Sequence, residues 1–67
     1  MDITENKAER AVRDRALALA DSGRFTAALE VERALISEGW PNARRTMASE
    51  LFRQTIHEHC RVARTRH

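Results

Sequence analysis

Several chemistries are excluded by what this chain of 67 residues lacks. It has one cysteine, Cys60, so no disulfide can close within it. A lone cysteine fits a reducing compartment, and the expected location is the cytoplasm. Glycine occurs only at 23 and 39, so there is no glycine-rich loop to cradle a phosphate. No paired carboxylates sit on a rigid scaffold, and a chain this short has little room for a pocket with a nucleophile, an orienting group and an oxyanion hole. Enzyme activity and a small-molecule substrate are therefore not expected. No apolar run approaches the roughly 20 residues that span a bilayer. The N-terminal MDITENKAER has no apolar core of a signal peptide. With one tryptophan and two phenylalanines, the helix faces also lack the bulky content of membrane-surface helices, so no membrane partner is expected.

Charge is present in quantity, and it is unevenly placed. The twelve basic residues are eleven arginines and Lys7, against ten acids. Through Gly39 there are eight acids and six bases, a net of −2; from Trp40 onward there are two acids and six bases, a net of +4. Asymmetry of this kind points toward an anionic or acidic partner for the C-terminal part. A chain of this size buries only about 60% of its unfolded surface, so its core is small and gains from association.

Alanine is abundant, no stretch alternates with period two, and the breakers are confined to Gly23, Gly39 and Pro41. The expected fold is a single all-α domain, a small orthogonal or bundle-like array of three or four helices. The first helix is expected over 4–22, capped by Thr4, with Ala8, Val12, Ala16 and Leu19 on its buried stripe, Leu17 and Ala20 widening it, and Gly23 ending it. Glu9–Arg13 and Arg10–Asp14 have the spacing of helical ion pairs. The second is expected over 26–37, capped by Thr26, with Ala28, Val31 and Leu35 in one buried row and Leu29 and Ile36 in a second. The third is expected over 41–48 with Pro41 at its first position. Ala43, Met47 and Leu51 have the spacing of one continuous helix, but Ser49 followed by Glu50 reads as a fresh cap. A break there leaves a fourth helix over 49–64 with Phe52, Ile56, Cys60 and Ala63 buried, and a frayed tail over 65–67.

Two constellations carry candidate chemistry. The stretch ISEGWPNARR outlines a helix-turn-helix, with Asn42, Arg44 and Arg45 at the start of the second helix, where such motifs meet base edges. Arg53, Arg61 and Arg64 extend a basic stripe along the last helix. The plainer reading is a corner in which Trp40 packs into the core and the arginines are solvated. In HEHC, His57 and Cys60 are one turn apart and would share a metal only if a symmetric dimer completed the ligand set. The expectation is instead a buried Cys60, an exposed His57, and no metal or cofactor. The sequence thus favours a small helical module, self-associating, that binds a protein partner or a second copy of itself through a helix face. Arginines at the rim would set orientation and on-rate. The alternative is a helix-turn-helix-type binder of nucleic acid that uses the six residues just named.

Overall fold

The computed structural model describes residues 6–66. The chain is all-α. Helix α1 spans Asn6–Asp21, α2 Ala28–Ser37, α3 Ala43–Met47 and α4 Glu50–Thr65. The expected Thr4 cap, Ile3, Glu5 and His67 lie outside the described residues.

Helix ends follow from local chemistry, not always as expected. Gly23 and Gly39 both take positive φ, 82° and 93°. At Gly39 the Trp40 N–H bonds the Leu35 carbonyl (3.2 Å) and the Gly39 N–H bonds that of Ile36 (3.0 Å). That is the paired bonding of a Schellman motif, and only glycine takes its left-handed position without a Cβ penalty. Helix α2 begins at Ala28 rather than at Thr26, and its cap position, Ala27, makes no side-chain bond. Thr26 has a different role: its N–H and hydroxyl both donate to Glu30 Oε1, at 2.8 and 3.1 Å. These bonds hold the Glu30 carboxyl below the usual range, the backbone N–H contributing most.

Pro41 does not start α3. The Ala43 N–H bonds the Trp40 carbonyl (3.3 Å), which places Pro41 and Asn42 at the two centres of a turn. Proline suits the first centre because its ring already fixes φ there. Asn42 occupies the cap position of α3 without a side-chain bond. The break between α3 and α4 falls where Ser49 indicated: its hydroxyl accepts the Phe52 N–H at 3.2 Å. Helix α4 continues one residue past the expected end, to Thr65.

Two lateral contacts fix how α1 and α4 lie. The Arg13 guanidinium sits over the Phe52 ring at 6.0 Å, and His59 Nδ1 lies 2.7 Å from Asp21 Oδ1. Both pairings ascend in the same chain order, so α1 and α4 run parallel. Parallel neighbours need a crossover, and α2 with α3 supplies it. Helix α2 returns antiparallel to α1, and Arg15 forks onto the Glu38 carboxylate at its end (Nε–Oε1 3.0 Å, Nη2–Oε2 2.7 Å). The Glu9–Arg13 and Arg10–Asp14 pairs suggested by spacing do not form; arginines of α1 reach across to other elements instead.

Between these helices the core holds Val12, Ala16 and Ala20 of α1, Ala28, Val31 and Leu35 of α2, Ala43 and Met47 of α3, and Ile56, Cys60 and Ala63 of α4. Leu17, Leu19, Phe25, Trp40 and Phe52 pack against it half-buried. Ala8, expected inside, is exposed. Trp40 is not swallowed by the corner: its indole N–H donates to Glu38 Oε1 at 3.0 Å, which holds the ring at the surface edge of the core.

Candidate interaction surface

The second apolar row of α2 is not buried. Leu29 is 51% exposed and Ile36 41%. They are seven residues apart, so they lie within about 20° of each other on the helix and form one outward strip. On α4, Leu51 is 73% exposed and Val62 42%, again about 20° apart. The break at Ser49 explains Leu51. In one continuous helix it would extend the buried row of Ala43 and Met47; with the chain restarted, that row passes to Phe52 and Ile56.

The six residues named from sequence divide into two groups. Asn42, Arg44 and Arg45 belong to α3 and the turn before it. Asn42 is half-buried and the two arginines are exposed. Helix α3 has five residues, about 7.5 Å of rise, and Ala43, Thr46 and Met47 face the core. It therefore offers two outward side chains, fewer than the three or four by which a recognition helix reaches base edges. Arg53, Arg61 and Arg64 form the other group on α4. Arg53, His57 and Arg64 fall within about 40° of one another, and Arg61 lies about 60° further round. Arg61 pairs with Glu58 one turn away. Arg53, Arg64, Arg44 and Arg45 make no ion pair among the described residues.

Helix α4 passes across the N-terminal end of α2. Arg53 and His57 lie on the Leu29 side, and the charge of Arg64 reaches Glu30 on the other. Between the two helices is an open cleft of about 380 Å³, lined by Ala27, Ala28 and Leu29 of α2 and its cap and by Glu50, Arg53, Gln54 and His57 of α4. Leu29, Gln54 and Glu50 did not stand out in the sequence. A helical wheel of α4 would have placed Gln54 and Glu50 beside the basic face, but nothing local marks Leu29 as the apolar residue that α4 leaves uncovered.

Glu38, in the stretch that joins α2 to α3, is held by Arg15 and Trp40 rather than standing as a free charge. The Arg15 hydrogen bonds, and then that of Trp40, bring its carboxyl down to about 2, and the same pairing raises Arg15. Cys60 is fully buried, and burial pushes its thiol up. His57 is exposed. Among the described residues no three His, Cys, Asp or Glu side chains gather as a metal site would require, and no helix is long and apolar enough to cross a membrane.

Fold and surface together define a small all-α domain of four helices with an unpaired basic face and two exposed apolar strips. No protein-family model, curated protein or solved structure matches the chain.

Proposed function

We propose that the protein is a small helical interaction module that binds another protein, or a second copy of itself, through the outward faces of α2 and α4. The observation that carries this reading is the exposure of Leu29, Ile36, Leu51 and Val62 in a domain whose inner rows are largely alanine and valine. Scattered single apolar residues on a surface need no explanation. Here they fall in two strips at helical spacing, each bordered by charge, and apolar centres with polar rims are how protein interfaces are built. Unpaired arginines beside such strips favour encounter and orientation over raw affinity. The short α3 weighs against the helix-turn-helix alternative, because only Arg44 and Arg45 are presented.

A photo-crosslinking residue placed at Ile36 and at Leu51, with Arg10 on α1 as the exposed control, tests the proposal in cells. Sedimentation velocity over a wide concentration range tests the second copy. Adducts at Ile36 or Leu51 beyond those at Arg10, or a concentration-dependent dimer weakened by Leu51→Ser or Ile36→Ser, are the expected results. No adducts and no self-association, together with salt-sensitive duplex DNA binding that Arg44→Ala/Arg45→Ala abolishes, would replace this reading with nucleic-acid recognition.

A further inference from the structure

We infer that the cleft between the first turn of α2 and the face of α4 is the docking site for an acidic segment of a partner protein that carries one aliphatic anchor. This rests on the protein-binding reading and narrows it to one site and one partner chemistry.

Leu29 supplies the apolar surface of the cleft, half-exposed, with Ala27 and Ala28 beside it. The cleft holds about 380 Å³, which suits a side chain of the partner more than a whole helix packed lengthwise. Arg53 and His57 stand on the α4 side, and Arg64 follows Arg53 on the same face about 20° round. Neither Arg53 nor Arg64 has an ion-pair partner among the described residues. The α2 side carries the same sign. The helix macrodipole is positive at that end, the cap residue makes no side-chain bond, and the first-turn acid, Glu30, is turned back onto Thr26. Glu50 is the single acid in the lining.

Charge complementarity therefore calls for carboxylates around an apolar tooth. A phosphate backbone matches this cleft poorly. It has nothing to place on Leu29, and its regular spacing of charge would meet Glu50. A peptide can carry its acids opposite Arg53 and His57 and leave a gap opposite Glu50.

The test is selection of a fully randomised peptide display library against the intact protein, followed by anisotropy titration of the enriched peptides. The expected result is enrichment of Asp and Glu around one Leu, Ile or Val. Binding should weaken with salt, and Arg53→Glu or Leu29→Ser should reduce it by about tenfold or more, in line with desolvated charge pairs and buried anchors. Leu51→Ser, on the other strip, should leave it unchanged. Thermal melts confirm that each variant folds, and Arg53→Gln replaces Arg53→Glu if that one does not.

Peptides that ignore Arg53→Glu and Leu29→Ser but lose affinity in Leu51→Ser would overturn the cleft and leave the protein-binding reading standing. Enrichment without preference for acids over bases would also overturn it, and crosslinking at Ile36 and Leu51 would still decide the broader reading. Duplex DNA that displaces the best peptides in a salt-dependent manner through Arg44 and Arg45 would overturn both.

Discussion

Thr46→Val should stabilise the protein. Thr46 faces the core from α3 and is 7% exposed, and its hydroxyl oxygen has no hydrogen-bond partner. The carbonyl one turn back, that of Asn42, already accepts the Thr46 N–H at 3.0 Å. Burying an unpaired hydroxyl costs about 1–3 kcal/mol by protein mutational data. Valine keeps the shape and the branched Cβ, so rotamer entropy and helix propensity change little. The expected gain is about 1 kcal/mol or more, and in a domain of this size each kcal/mol moves Tm by about 4–8 °C. Urea unfolding gives the cleaner reading: the midpoint should rise at constant slope. Thr46→Ser is the control, since it keeps the hydroxyl and removes a methyl, and it should cost about 1 kcal/mol. A valine variant no more stable than the parent, at unchanged slope, would mean that the hydroxyl is satisfied in the folded state, and the reasoning would fail.

Three further outcomes follow from the same geometry. Glu38 is held near 2 against an ordinary 4.5 by Arg15 and Trp40; a depressed carboxyl contributes stability that is complete above about 4.5 and lost as pH falls toward 2. Glu38→Gln should therefore be less stable than the parent at neutral pH and close that gap across this window, measured by urea midpoints at several pH values. Ser49→Ala removes the cap of α4 and should cost about 1 kcal/mol by thermal melts; a change within error would assign the α3–α4 break to packing rather than to the cap. Cys60 is buried with its thiol pushed up, so thiol-reactive dyes should label it only through unfolding, at a rate that rises with urea; immediate labelling of the native protein would contradict its placement.

The glycines and Ser49 made three of the helix ends legible, because each acts through its own backbone or side chain. The buried rows of α1 and α4 were legible for a similar reason, as Val12, Ala16, Ile56, Cys60 and Ala63 repeat at helical spacing. Legibility ended where tertiary placement decides. Leu29 and Ile36 are as apolar as Val31 and Leu35, and one helix wheel cannot say which of two adjacent rows the other helices will cover. Thr26 has the side chain of a cap, yet it bonds Glu30 from one residue outside the helix. Pro41 suits both a helix start and a turn centre, and the Trp40–Ala43 bond selects the turn. The basic stripe was legible on α4 alone. Its junction with α2, which makes a cleft of it, depends on the α1–α4 pairing and has no local signal.

The two halves of the chain use their arginines differently. In the N-terminal part they serve the fold: Arg15 ties α1 to the end of α2, and Arg13 lies on the Phe52 ring of α4. After Trp40, only Arg61 forms an ion pair among the described residues, and that pair lies within one helix. Exposed pairs contribute little stability, about 0–1 kcal/mol each, so the fold gives no reason for four exposed arginines at 44, 45, 53 and 64. Leaving them unpaired also does not tax it, since they stay hydrated. Their surplus is better understood as a property of the surface than of the core. On α4 it borders the one cleft where an apolar side chain of α2 is also left uncovered. Basic charge alone would suit many anions, and an exposed leucine alone would suit many neighbours. The two together, on opposite walls of the same cleft, narrow the partner to one that brings carboxylates and an apolar group within a few residues of each other.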